Sequence, residues 1–472
     1  MIFGIIYLVL GFMLFMLLRL CFFFPKLIKE EGETDDCEER KQKYAGFQGY
    51  AYAAVVLIII AALVNTFYAV KGSPWEGHFM EWLNIVFRLM HITFGIAWIG
   101  ASFYFVFLEN ALNRTKDVRD DLAGNLWAVH GGGFYYLEKY KTAPQKIPKD
   151  LHWFKYEAYF TWLSGFSLMF VVYYFNAKAF LIDPNVMDLK PAVAVGIGIG
   201  SLVAGWIIYD LLCKTPLVKK QTLFAATGLL VATAFAIFYT HVFSGRAAYI
   251  HFGAMLGTIM VANVFFVIIP AQKAMVKAAK EGKPLDPELG KHAGLRSLHN
   301  NYFTLPVLFV MISNHFPTTF GYASPWLMLM IITIGTAGVK HYLNLKEKGQ
   351  LNLYVLPVSI LILLGAAFMS APPKDPMACK EEVSINEVNL IVQKRCVSCH
   401  STRPTDDVFT APPNGVVYDS PQDIMSLKDK IMQRVVVTKT MPQNNKTGMT
   451  ETTYQLALPD RLFSVFLRNK CL

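Results

Sequence analysis

Cys396, Cys399 and His400, in the stretch KRCVSCHSTRPT (394–405), stand at a spacing with its own chemistry. In C-x-x-C-H the two thiols add across the vinyl groups of a haem while the adjacent imidazole binds its iron. A zinc half-site and a thioredoxin-like redox pair are the alternatives. Zinc needs further ligands, whereas residues 401–472 contain no His and one more Cys, at position 471. The flanks do not suggest the strand and helix of a redox pair. The sixth iron ligand has to come from the far face of the ring, and TKTMPQNN (438–445) offers Met441, with Met425, Met432 and Met449 as competitors. The expectation is one covalent haem c, attached through Cys396 and Cys399 and ligated by His400 and Met441.

Other histidines lie in apolar runs, where ionisable groups are expensive and mark a site by default. His91, His241, His251 and His315 fall at similar depth on one side, enough for one or two haem b groups; for each, a hydrogen-bonded structural histidine is the alternative. The segments FRLMHITFGIAWIGASFYFVF and AAYIHFGAMLGTIMVANVFFVI align as a weak internal repeat, or coincide as two apolar helices. WAVHGGGFYYLEKYK (127–141) joins three glycines, which permit close backbone approach to a ligand, to His130, Lys139 and Lys141, which can meet an anion. DLHWFKYEAYFTWLSGF (150–166) adds Lys155 within an interfacial aromatic belt. SLHNNYFTLPVLFVMISNHFP (297–317) brackets a proline-kinked run with His299, Asn300, Asn301, Asn314 and His315, too dense a polar set to face lipid.

The elements that must position these residues are helices. The chain has 472 residues, 54% of them hydrophobic, and reads as an all-α, polytopic membrane protein. Apolar runs of about 20 residues suit a hydrocarbon core of about 30 Å. They lie near 2–24, 49–70, 83–108, 157–176, 191–213, 222–243, 247–271, 296–317, 324–343 and 351–370. About ten spans follow, with a core of eight as two four-helix halves. Residues 1–75 read as an extra helix pair, 76–371 as the catalytic membrane domain, 372–378 as a linker and 379–472 as a C-terminal domain. The formal charge of +10 is distributed over alternate loops, which indicates a lipid bilayer and its topology rather than nucleic acid. The positive-inside rule puts both termini outside. The first run is either an uncleaved span or a signal peptide, and the lack of a small-residue site after FFFPKLIKEE favours the span. Cys379 and Cys471 are a candidate disulfide or two free thiols.

The order SINEVNLIVQKRC, haem motif, proline-rich loop, Met-Pro loop and LPDRLFSVFLRNKC resembles a small class I cytochrome c. With that domain behind RLMHITFGIAWIGASFYFVFLENAL and the three stretches above, residues 82–472 resemble the membrane-bound, cytochrome c-fused urate oxidase (urate hydroxylase) family known as PuuD. The first two runs depart from that family's eight-span pattern. The resemblance implies oxidation of urate to 5-hydroxyisourate without direct peroxide formation. Electrons would pass to the fused cytochrome c and then to a cytochrome c or terminal oxidase of the respiratory chain. The helix of His91 is also similar to the first helix of HemJ-type protoporphyrinogen oxidases and CopD-like proteins, where a histidine is implicated in haem b binding. No G-x-G-x-x-G after a strand and no adjacent His-His pair occurs, so neither flavin nor copper is expected. The implied location is a bacterial inner membrane with the cytochrome c domain on the periplasmic side. The HGGGFY loop, Lys139 and Lys155 would hold the urate monoanion, with His130 as general base; a site on the outer side near the haem is the alternative. The competing function is a membrane-anchored electron carrier fed by quinol or another donor, though one span would suffice to anchor it.

Overall fold

The computed structural model describes residue 54 and residues 57–73, 75–115, 117–141, 143–144, 146–148, 151–371, 385–409 and 411–450. The expected span 2–24, the linker 372–378, the closing helix and the Cys379/Cys471 pair lie outside the described residues. The chain divides into two compact units, Met1–Trp82 and Leu83–Leu472. In the first, the described part of the second expected span is a helix, α1, Leu57–Val70.

Each remaining apolar run coincides with helix. They are α2 (Trp75–Ala111), α3 (Tyr156–Leu168), α4 (Pro191–Lys214), α5 (Gln221–Val242), α6 (Gly245–Lys280), α7 (Pro287–Ser313), α8 (Pro325–Glu347) and α9 (Val355–Met369). Local chemistry sets several of the starts. Ser244 caps α6 by accepting from the Ala247 N–H, and Asp286 caps α7 by accepting from the Glu288 N–H ahead of Pro287 at the first position. Five described helices, α2, α4, α5, α6 and α8, are long and apolar enough to cross a membrane. Among them α6 is the central one: 61% of its apolar window is buried, against 6% for α2. Helices in lipid gain little from apolar burial, so close approach decides their packing. A Cβ at Gly253 on α6 would lie 2.4 Å from Val310 Cγ1 on α7, so only glycine permits this spacing.

The all-helical expectation is corrected by one antiparallel hairpin, β1 (Leu122–His130) and β2 (Gly133–Tyr140). Gly131 and Gly132 at its turn have φ of +57° and +80°, the pair of left-handed residues that a two-residue hairpin turn requires. The glycines therefore serve the turn. Backbone hydrogen bonds between Asn113 and Asn125, at 2.8 and 3.1 Å, hang the hairpin from the end of α2.

Three helices are joined by a buried polar network. Arg296 on α7 donates to Asp210 Oδ1 on α4 at 2.6 Å and to Asn263 Oδ1 on α6 at 3.1 Å. Asn263 Nδ2 donates to Tyr209 Oη (3.1 Å) and Asn300 Oδ1 (2.8 Å), and Asn300 Nδ2 donates to the Met260 carbonyl (2.9 Å). Tyr209 Oη also meets His299 Nδ1 at 2.7 Å. Asn263 begins a π-helical segment, Asn263–Ile268, within α6. The Met260 carbonyl just ahead of it accepts from both the Asn263 N–H and Asn300 Nδ2.

Removing one member of a buried ion pair leaves the other uncompensated. Asp210→Leu is expected to destabilise the detergent-solubilised protein by about 3 kcal/mol, and Asp210→Leu with Arg296→Met to recover most of that loss. Unfolding of the single and double variants measures both.

Candidate functional site

The C-terminal part of the second unit builds around α10 (Ile385–Arg395) and α11 (Pro421–Ser426), the latter started by a reciprocal cap between Ser420 and Asp423. The chain leaves α10 in a tight turn: the His400 N–H donates to the Cys396 carbonyl at 2.8 Å, and that of Cys399 to the same oxygen at 3.2 Å. Cys396, Cys399 and His400 are thereby gathered on one turn. His400 Nδ1 donates to the Val416 carbonyl at 3.0 Å, which fixes the tautomer and leaves Nε2 as a lone-pair donor. Burial holds His400 below its ordinary value, so the imidazole is neutral. Burial, with the neighbouring Cys399, pushes the Cys396 thiol up to about 12; burial, with Asp406, pushes Cys399 up to about 11. A neutral imidazole with a free Nε2 beside two protonated thiols fits covalent attachment and ligation of a haem. Of the methionines, Met441 and Met425 pack half-buried against the same apolar core as Cys396, while Met449 is buried within it. The side chain of Met432 lies outside the described residues.

This segment is fastened to the helical bundle by the residues that follow Met441. Gln443 Nε2 and Asn444 Nδ2 donate to the Ala179 carbonyl at 2.7 and 2.9 Å, and Asn444 Nδ2 also reaches the Ile182 carbonyl at 2.5 Å. Their target is again a π-helical turn, Ala177–Leu181, just after a first one at Met169–Tyr174. Asp406 positions a second contact. Its burial works to raise its pKa, but hydrogen bonds from Lys446 and from the Val408 N–H hold the carboxyl below its ordinary value. As a carboxylate it also accepts from the Phe409 N–H at 3.2 Å. The Phe409 ring meets Phe180 edge-on at 5.9 Å; Phe180 meets Tyr173 at 6.4 Å, and Tyr173 meets His251 at 6.4 Å. An unbroken series of rings thus leads from the C-x-x-C-H segment into the bundle.

His251, fully buried, lies at the end of that series, enclosed by Phe243, Tyr239, Tyr174 and Tyr173. Its Nδ1 donates to the Ala247 carbonyl at 2.8 Å, so Nε2 accepts from Tyr174 Oη at 3.2 Å. A Cβ at Gly198 would stand 2.8 Å from Nε2, so the α4 backbone covers that side and there is no room for a porphyrin. Haem b at His251 does not fit this arrangement. His91 Nδ1 donates to the Thr161 carbonyl at 2.8 Å and leaves Nε2 as a lone-pair donor, while a Cβ at Gly165 on α3 would stand 2.7 Å from Cε1 and 3.5 Å from Nε2. His241 and His315 are exposed, and His241 Nδ1 bonds the Ile237 carbonyl of its own helix at 2.7 Å. Among the described residues no two of the four rings touch. Equal depth in the sequence does not amount to one cluster, because their helix faces point differently.

The residues expected to hold an anion are likewise spread. His130 pairs with Gly133 at the hairpin turn and Lys139 pairs with Gly124 near its base. The five intervening pairs, six steps along the strand, correspond to roughly 20 Å. Lys139 is ion-paired with Glu109, and Lys155 lies over the Tyr156 ring at 4.8 Å. The sequence reading missed Asp210, Asn263, Arg296, Lys340 and Asn344. Each is a polar residue in an apolar helix, and that was the available signal.

The family described as urate oxidase N-terminal matches residues 77–371, which comprise α2 almost entire, the hairpin and α3 to α9. No curated protein and no solved structure matches the chain. The match spans more than half of the sequence and ends where the helical bundle ends. The chain belongs to the urate oxidase N-terminal family.

Proposed function

We propose that the protein is an oxidoreductase that converts urate and water to 5-hydroxyisourate, releasing two protons and two electrons. The electrons leave through the C-terminal segment to an external cytochrome c or terminal oxidase, and no peroxide forms directly. The observation that carries this reading is the seating of the Cys396, Cys399 and His400 turn on the bundle that the family match covers. Bound covalently at that turn, a haem supplies a one-electron acceptor. Cys396 and Cys399 would attach it, and His400 Nε2 and Met441, with Met425 as its rival, would bind its iron. His91 and His241 each keep an Nε2 that could bind the iron of a second, non-covalent haem.

Within this reading the chain's own residues do three things. Gln443 and Asn444 hold the C-terminal segment at a fixed place on the bundle. Phe409, Phe180 and Tyr173 exclude water between that segment and His251 and fill the space with polarisable rings. His251, hydrogen-bonded through both nitrogens, locks Tyr174 at the inner end. The apolar helices set the protein in a membrane, with the C-terminal segment on its outer side by the charge asymmetry of the loops.

An anaerobic reduced-minus-oxidised spectrum of the purified protein, with urate as sole reductant, is expected to show reduction of a c-type band. Reduction by dithionite but not by urate would sink the assignment and favour the anchored electron carrier.

Asn444→Leu removes two hydrogen bonds to bundle carbonyls, about 2 kcal/mol of docking free energy. Stopped-flow reduction by urate is expected to slow several-fold in this variant while reduction by dithionite keeps its wild-type rate.

A further inference from the structure

Two groups of buried polar side chains occupy the bundle, and they differ in one respect. Around Arg296 the named side chains have partners. On the opposite side of α7 they do not. Lys340, Asn301 and Asn344 are 0%, 1% and 4% exposed, yet Lys340 Nζ and both carboxamide atoms of Asn301 and of Asn344 have no hydrogen-bond partner among the described residues. Native interiors leave few such atoms, and a buried ammonium without a hydrogen-bond partner is among the most costly.

The three side chains belong to one place. Lys340 and Asn344 are four residues apart on α8 and share its face. The bond between Tyr302 Oη and His341 Nδ1, 2.6 Å long, sets the level of α7 against α8. Asn301 and Lys340 each precede one of those residues and turn from the open seam into the interior. On α2, Phe103 presents its ring face, with Lys340 Nζ 3.5 Å from the centroid. Glu347, the nearest carboxylate along α8, is bonded instead by Asn110 of α2 at 3.4 Å.

We infer that Asn301, Lys340 and Asn344, beside Phe103, form the binding site for the urate monoanion; the inference rests on the function proposed above. The donor set selects the chemistry. An ammonium calls for an anion. Two carboxamides offer two acceptors as well as donors, so a phosphate or simple carboxylate, which has nothing to donate, would leave both amide oxygens unpaired. A planar purine anion whose edge alternates N–H and C=O satisfies all five orphan atoms. Carboxamides read purine edges in this two-point way elsewhere. The site lies nearer Glu347 than Pro325 on α8, toward the end of the bundle that carries the Lys-rich loops.

The test uses the full-length protein in detergent, with binding of labelled urate measured anaerobically for wild type, Lys340→Met, Asn301→Leu and Asn344→Leu. Thermal unfolding without urate is measured beside it. Lys340→Met is expected to weaken urate binding roughly 30-fold or more. The urate-free variant should melt at or above the wild-type temperature, because a buried ammonium without a hydrogen-bond partner has been removed. Lys340→Arg, which keeps the charge and changes its shape, should bind more tightly than Lys340→Met. If wild type is reduced by urate while Lys340→Met and Asn301→Leu bind it as wild type does, the site assignment is overturned and the proposed activity stands. A urate-free Lys340→Met protein that melts well below wild type would make the lysine a structural contact of Phe103 and overturn the assignment too. If wild type neither binds nor is reduced by urate, the activity and the site fall together.

Discussion

A polar group inside an apolar helical bundle has to find its partner there, since neither lipid tails nor packed side chains can supply one. Arg296 is the clearest case. At 6% exposure its guanidinium depends on Asp210 of α4 and Asn263 of α6, and the aromatic rings of Trp206 and Tyr209 line the same space. Satisfying one cation therefore specifies the relative positions of three helices. Apolar packing between α4, α6 and α7 can be satisfied by many rotations of each helix; this network admits one.

The same requirement explains the irregular turns. Two of the π segments lie beside a carbonyl that is bonded from outside its own helix. Met260, just ahead of Asn263–Ile268, accepts from Asn300, while Ala179 and Ile182, in and after Ala177–Leu181, accept from Gln443 and Asn444. The Met260 carbonyl also accepts from the Asn263 N–H of its own helix, and those of Ala179 and Ile182 lie at a helix end, where the last turn has no internal partner. The widened turns thus supply the contacts that bind α7 to α6 and the C-terminal segment to the bundle. The second contact also brings Phe409 to Phe180, and with it the C-x-x-C-H turn to the aromatic wall around His251.

How much of this was legible in the sequence follows from how local each feature is. Eight expected runs, from 83–108 to 351–370, coincide with helices because an apolar run of that length constrains its own backbone whatever its neighbours do. The hairpin was equally local, with paired glycines flanked by Ala128–Val129 and Phe134–Tyr136. It was missed because the glycines were read as ligand-binding rather than as turn residues. The histidine depths were read from position along each helix, but depth carries no information about rotation. His251 turns inward and His241 outward, from opposite sides of the short turn that joins their helices.

The sequence by itself determined the helical plan and the donor turn of Cys396, Cys399 and His400, because both depend on spacings of a few residues along one backbone. Tertiary structure alone decided which polar residues are satisfied and which are left open. Asn300 and Asn301 are adjacent in sequence and of the same type. One is consumed by Asn263 and Met260, while the other, likewise buried, has no hydrogen-bond partner among the described residues. A step of about 100° around a helix separates them, and only the packing of α6 and α8 on either side of α7 gives that angle a meaning.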